Sequence, residues 1–381
     1  MITKFINKTI SSVVTILPET EVNFMDEMDS YGYSPLKMKM LKKMMGYNTR
    51  RVCKKGEGVS DYAIYGIQHL IDQNVLSTDE VGAIIVTSTS PDYFIPPTSN
   101  LIQGNFNISH DCVCIDVSQG CCGYSVGLTY SFMTLEHLPA GKKVLLVCGD
   151  MMSQKIGERD RTSRPIIGDA VTVSVIENED NGRTIYCSLK NEGENGMAIT
   201  IPAGGNKLPC SEETAIEVED ESGCWRNQEQ FFMEGDLVFN FVINDTPAMI
   251  DELLEYASVK KEEIDYFVCH QPNAFMLKKL AEKVEVDQEK MPNDIVSIYG
   301  NSNSATIPVT LCHHYAEMYE GKVQNKLMLA SFGSGLALGG VLLDLPALRY
   351  CKMIGYQAES QNASNSYYSQ CISAFMYIHS L

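Results

Sequence analysis

The chain has 381 residues, 44% of them apolar, and carries 30 Lys plus Arg against 48 Asp plus Glu, for a net charge of −18. That length allows two domains or one large fused one, and that apolar share supports a sizeable core and excludes bulk disorder. The negative balance excludes a general nucleic-acid binder and a protein held on an anionic membrane surface, because both need positive charge. No run of about 18 apolar residues occurs, so no spanning helix is expected. The N-terminus, from Met1 to Lys8, lacks the apolar stretch and small-residue cleavage site of a secretory signal. Thirteen cysteines without CxxC pairs or regular spacing predict reduced thiols and a cytoplasmic protein.

In chain order, the pattern predicts a helix over 61–73, strands over 83–88 and 112–118, and an almost uncharged helix over 121–136. Strands follow over 144–149 and 170–176, then a helix over 246–257, a strand over 265–269 and a helix over 274–283. Two last strands are predicted over 327–331 and 338–344. The strands are continuous apolar runs, which suits sheets covered on both faces, and their alternation with helices predicts α/β layers. Met38, Met40, Met44 and Met45 are expected in the core.

A repeat organises these elements. VGAIIV begins at Val81 after the turn LSTDE, and IDYFV begins at Ile264 after the similar turn VKKEE, 183 residues later. VLLVCG from Val144 and LMLASF from Leu327 are again 183 apart. One offset shared by two pairs predicts two duplicated halves, 1–177 and 233–345. Residues 178–232, rich in Asn, Glu and Gly and holding the only Trp, Trp225, read as an irregular insertion. Residues 346–381 read as a tail beyond the last strand.

Four segments carry candidate chemistry. In Asp116-Val-Ser-Gln-Gly-Cys121-Cys122-Gly123-Tyr124 a strand runs through a turn into the uncharged helix. The two cysteines are either small core residues or include a thiol at the positive end of a helix dipole, where a thiolate is favoured. Tyr266-Phe-Val-Cys269-His270-Gln271-Pro272-Asn273 ends a strand on a histidine. Tyr299-Gly300-Asn301-Ser302-Asn303-Ser304-Ala305-Thr306 is a run of small polar residues, and Phe332-Gly333-Ser334-Gly335 precedes the last strand. Glycines there permit close backbone approach and offer N–H groups to an anion. Cys312-His313-His314 is not expected to bind a metal, because consecutive helical residues diverge.

Taken together, in this order, these segments resemble β-ketoacyl-acyl carrier protein synthase III of the thiolase-like superfamily. Asp116 to Tyr124, His270 to Asn273, the stretch around Asn301 and Gly333 to Gly335 carry the resemblance, with Gly168-Asp169-Ala170 as a further match. It implies a thiolase-like five-layered α-β-α-β-α fold built from two duplicated halves. It implies Cys121 as acyl-accepting nucleophile, His270 and Asn301 as its partners, and the backbone N–H groups of Cys121 and Ser334 as an oxyanion hole. No bound cofactor or metal is implied; the substrates would be an acyl-CoA and a malonyl thioester of acyl carrier protein. Arg161 would lie near the phosphopantetheine entrance, and Phe94 and Ile95 would shape an acyl pocket across a homodimer. The family's Gly-Ile-Arg-x-Arg segment reads Gly46-Tyr47-Asn48-Thr49-Arg50 here, so the coenzyme A grip is altered. A thiolase-fold acyltransferase passing its acyl group to an alcohol or amine is the alternative activity. Eight basic residues between Lys37 and Lys55, uninterrupted by Asp or Glu, include Lys42, Lys43, Arg50 and Arg51, which are candidates for docking an acidic carrier protein.

Overall fold

A computed structural model of the protein describes residues 1–180 and 182–358. The strands of its two main sheets are β1 (Ile2–Ile6), β2 (Lys8–Leu17), β3 (Val81–Thr87), β4 (Val113–Val117), β5 (Lys143–Asp150), β6 (Ala170–Asn178), β7 (Thr184–Asn191), β8 (Tyr266–Cys269), β9 (Gln324–Gly333), β10 (Ala337–Pro346) and β11 (Tyr350–Gly355). The longer helices are α1 (Pro35–Met45), α2 (Val59–Asp72), α3 (Thr98–Asn105), α4 (Gly123–Leu135), α5 (Gly235–Ala257), α6 (Ala274–Val284) and α7 (Thr306–His313).

The first sheet runs β11-β2-β6-β5-β3-β4 and the second β1-β7-β10-β9-β8. Between them lie α4 and α7, whose Tyr124, Leu128, Phe132, Ile307 and Leu311 pack against Ile85, Leu146, Val268, Leu329 and Val341. The outer face of the second sheet is covered by α5 and α6, through Val242, Met249, Leu253, Leu277 and Leu280. That of the first is covered by α2 and α3, through Tyr62, Ile67, Leu70 and Ile102. The inner strands of each sheet are buried on both sides, which is why they read as unbroken apolar runs. The result is the expected five-layered α-β-α-β-α stack.

The repeat is visible in the strand register. Ala83 pairs in parallel with Val144 between β3 and β5, and Tyr266 pairs in parallel with Leu327 between β8 and β9. Adding 183 to both members of the first pair gives the second. The 3₁₀ turns Thr78–Glu80 and Lys261–Glu263, which open β3 and β8, keep the same offset.

Three expectations are corrected. Residues 178–232 are not irregular throughout, because β7 sits inside the second sheet between β1 and β10. The stretch after 346 is not wholly outside the fold, because β11 pairs in parallel with β2 from Tyr350↔Ser12 to Gly355↔Leu17. Tyr356 then stacks on Tyr62 at 4.1 Å. The remainder of that expected tail, 359–381, lies outside the described residues. The methionine run is split by helical geometry. Met38 is fully buried, while Met40 and Met44 are 63% and 52% exposed. Ser34 caps α1 and Pro35 opens it, and its inner face is then Met38, Leu41 and Met45, leaving Leu36, Met40 and Met44 at i, i+4 and i+8 facing water.

Phe132 is fully buried between the sheets, its ring 5.5 Å from Phe5. Phe132→Ala is expected to destabilise the fold by about 3–5 kcal/mol, read as a lower urea midpoint.

Candidate active site

Parallel strand β3 and its neighbours β4 and β5 end on one side of the first sheet, and their C-terminal ends carry the polar groups of the site. Beyond β4, Gln119-Gly120 turns the chain, and Cys121 sits just before α4. At the ends of β3 and β5 the buried carboxylate of Asp150 accepts hydrogen bonds from Thr89 N (2.7 Å), Thr89 Oγ1 (2.9 Å), Ser88 Oγ (3.2 Å) and Ser90 Oγ (3.3 Å). Ser304 Oγ, from the other half of the chain, donates to it at 2.8 Å. Asp150 thus ties the polar loop 300–306 to the first sheet. No motif pointed to it. The only sequence signal is an Asp at a strand end beside the hydroxyl run Thr87 to Ser90.

Cys121, His270 and Asn301 come from three distant segments and line one cavity, together with Asn303 and Asn273. Apart from Ser163, the rest of its wall is apolar and includes Ile166, Ile167, Ile199, Phe231, Met233, Val238, Val242, Met276 and Phe332. Of the sequence-predicted residues, Ser334 is at the site by its backbone, since Gly333, beside it, lies against Cys121. A Cβ on Gly333 would stand 2.4 Å from Cys121 Cβ, so only glycine lets β9 come this close. Cys122, by contrast, is a buried core thiol donating to Ala337 O at 3.0 Å.

His270 is 2% exposed and meets Phe332 edge to face at 5.4 Å. Its Nδ1 is 2.7 Å from Thr306 Oγ1, which is also 3.1 Å from Asn303 O. The single Thr306 proton therefore has two destinations. Given to the carbonyl, it leaves Nδ1 protonated and Nε2 bare; given to Nδ1, it leaves the proton on Nε2. Asn301 is held by its backbone, with N–H donating to Ile166 O at 2.7 Å and C=O accepting from Gly168 N at 3.0 Å. This is the structural work of the Gly168-Asp169 segment, whose Asp169 carboxylate accepts from Cys53 N and Ser153 N at 2.8 and 3.0 Å. Asn301 Oδ1 accepts from Asn303 N at 2.9 Å, so its Nδ2 is the end left for a ligand.

Burial pushes the Cys121 thiol up to about 12, with the Asp150 charge adding to it, while the backbone N–H groups of Cys121 and Ser334 pull it down. Burial likewise holds His270 down at about 3. The pair therefore rests as neutral thiol beside neutral imidazole.

Other candidates fall elsewhere. Arg161 lies 5.0 Å over the Tyr33 ring and donates to Ser222 O. It lies against the exposed turn at Ser222 and Gly223, not on the cavity wall. Phe94 and Ile95 are 90% and 83% exposed and do not line this chain's own cavity. Much of the apolar wall instead comes from Ile199 and Phe231 of the supposed insertion, from Met233 just after it and from α5. Sequence reading missed these because that segment has no periodicity. Arg50 is buried against Glu27 at 2.5 Å, and Arg51 pairs with Glu21 at 2.9 Å. Neither is a free docking charge, which corrects that expectation; Lys37, Lys39 and Lys43 are exposed on α1. Cys312 turns inward, 3.5 Å from Cys351 Sγ, while His314 Nε2 meets Asp294 Oδ1 at 2.7 Å and His313 lies close by.

A two-sheet stack with a cysteine at the start of its central helix and a His and Asn beside it defines a thiolase-fold acyl-transfer enzyme. Two family models match, 3-oxoacyl-[acyl-carrier-protein] synthase III over residues 115–193 and the C-terminal part of the same family over 254–345. A β-ketoacyl-[acyl-carrier-protein] synthase III of Halalkalibacterium halodurans is 30% identical over 306 residues, covering 79% of this chain and 86% of that protein. The one from Chlorobaculum tepidum is 29% identical, covering 78% and 87%. The crystal structure of a 3-oxoacyl-(acyl-carrier protein) synthase from Burkholderia xenovorans superposes with a TM-score of 0.85 at 25% identity, over 93% of this chain and 99% of that one. The chain belongs to the 3-oxoacyl-[acyl-carrier-protein] synthase III family of condensing enzymes.

With the thiol near 12 and the imidazole near 3, neither group titrates between pH 6.5 and 9. The thiolate fraction then grows with pH throughout this range. Alkylation of Cys121 by iodoacetamide is expected to rise about tenfold per pH unit without levelling; a plateau below pH 8 would show a thiolate formed at rest.

Proposed function

We propose that this chain takes an acyl group from a coenzyme A thioester onto Cys121 and joins it to malonyl-acyl carrier protein with loss of CO₂. The observation that carries this reading is the largely apolar cavity in which Cys121, His270 and Asn301 meet. In the first step His270 Nε2 takes the thiol proton, and Cys121 Sγ attacks the thioester carbon. The backbone N–H groups of Cys121 and Ser334 hold the oxyanion, the bond to coenzyme A breaks, and the leaving thiolate takes the proton. In the second step the malonyl unit loses CO₂, and its enolate oxygen accepts from His270 Nε2–H and Asn301 Nδ2–H. Its carbon attacks the acyl-Cys121 carbonyl, and the tetrahedral intermediate expels the Cys121 thiolate. The Thr306 hydroxyl supports both tautomers that His270 needs. The acyl chain would lie against Met233, Val238, Val242 and Met276.

For the carrier protein, α1 offers the fitting surface. Leu36, Met40 and Met44 form an exposed apolar stripe flanked by Lys37, Lys39 and Lys43, on a chain whose net charge is −18. An acidic amphipathic partner suits it by charge and by shape. Phe94 and Ile95, with Val113 and Ile115 of edge strand β4 and with Tyr130 and Met133, make an exposed apolar face that a homodimer would cover. No helix among the described residues is long and apolar enough to cross a membrane, and a reaction that uses a free thiol fits the reducing cytoplasm.

Intact-mass analysis after incubation with an acyl-CoA panel should show one acyl adduct, absent in Cys121→Ser. Asn301→Ala should still acylate yet lose about 10²–10³-fold in malonyl decarboxylation; equal loss in both half-reactions would sink the division of labour. Lys37→Glu with Lys39→Glu and Lys43→Glu should raise KM for the carrier-protein thioester about tenfold and leave the rate with free acyl-CoA unchanged.

A further inference from the structure

Among the polar side chains that line the cavity without an assigned part, Asn303 is the one in hydrogen-bond contact with Cys121 Sγ. It is 5% exposed, lines the cavity, and holds a left-handed backbone conformation with φ 49°, which Asn tolerates better than most residues. Its main chain already serves the site. The N–H orients Asn301, and the C=O accepts from Thr306 Oγ1 beside His270. Its side chain reaches the reacting atom itself, with Oδ1 3.6 Å from Cys121 Sγ, accepting from the thiol. The other end of that amide, Nδ2, is buried and has no hydrogen-bond partner among the described residues.

We propose that Asn303 is a further catalytic residue whose amide serves Cys121 in both protonation states, accepting from the thiol through Oδ1 and, after rotation about χ2, donating to the thiolate through Nδ2. The proposal rests on Cys121 being the nucleophile.

The rotation is favoured by symmetry. In either orientation one end of the amide meets sulfur and the other has no partner, so turning gives up no further contact, and terminal amide torsions are broad and close to two-fold. As the proton passes to His270 Nε2, the sulfur changes from donor to acceptor, and only a group with both functions can follow it. The charge environment makes such a donor matter. Asp150 opposes the thiolate, and apart from the His270 that takes the proton, the other donors facing the sulfur are the backbone N–H groups of Cys121 and Ser334. A hydrogen bond to a charged group is stronger than one between neutral groups.

The test compares the full-length protein with Asn303→Gly, which suits the positive φ and removes the amide, and Asn303→Asp, which keeps the size but cannot donate. Circular dichroism and thermal melts check that each variant folds. Iodoacetamide alkylation of Cys121 from pH 6.5 to 9 reads thiolate stability without any substrate, and acyl-CoA loading reads the first half-reaction. Both rates are expected to fall about tenfold or more in each folded variant, with Asn303→Asp the slower. Wild-type rates in both assays for either folded variant would overturn the proposal. Should the wild-type protein accept no acyl group at all, the condensing reading fails, while the alkylation rates still decide the role of Asn303.

Discussion

Everything at the site depends on how closely two sheets close on one uncharged helix. Helix α4 has no charged side chain and is buried along most of its length between β3 and β5 on one side and β9 and β10 on the other. The closeness is set by missing side chains. A Cβ on Gly127 would stand 2.4 Å from Leu146 Cδ1, and one on Gly339 would stand 2.6 Å from Ser125 Cβ. With Gly333 against Cys121, these contacts bring the start of α4 and the end of β9 to the same point. Two backbone N–H groups, from Cys121 and Ser334, then flank one sulfur. A packing constraint thus supplies an electrostatic one, because donors fixed by the backbone need no reorganisation when charge develops.

Around that point the polar groups form a connected set inside an apolar wall. Asp150 gathers the hydroxyls at the end of β3 and reaches across to Ser304, so the loop with Asn301 and Asn303 is anchored to the half that carries the cysteine. Asp169 does comparable work for the loop that holds Asn301 by its backbone. Such buried carboxylates stay costly unless their acceptors are met, and here each one meets several donors. The same low dielectric drives the thiol and the imidazole toward their neutral forms. Both groups therefore rest uncharged in the cavity, not as an ion pair.

Sequence motifs outlined this centre but not its surroundings. Cys121 and His270 lie at strand-to-turn junctions, which leave a local signature, while Asn301 and the grouping of the three came from the family resemblance. Asp150 and Asn303 left none: a strand-end Asp and an Asn in a polar run are ordinary until the fold sets them beside the sulfur. The basic stretch from Lys37 to Lys55 was visible as charge. That Arg50 and Arg51 are consumed by Glu27 and Glu21, while the lysines of α1 stay exposed, depended on partners more than twenty residues away.

Through its resemblance to a known family the sequence pointed to Cys121, His270 and Asn301; by itself it determined the layered α/β class and the 183-residue duplication. Those are properties of local pattern and spacing: apolar runs, caps and turns, and one repeated offset that reappears as strand register. Only the tertiary structure decided that β7 and β11 belong to the sheets, that Ile199 and Phe231 of the supposed insertion wall the cavity, and that Asn303 lies against Cys121. Those outcomes are contacts between segments far apart in the chain. Their free energy comes from burial and close approach in three dimensions, and no window of sequence contains both partners.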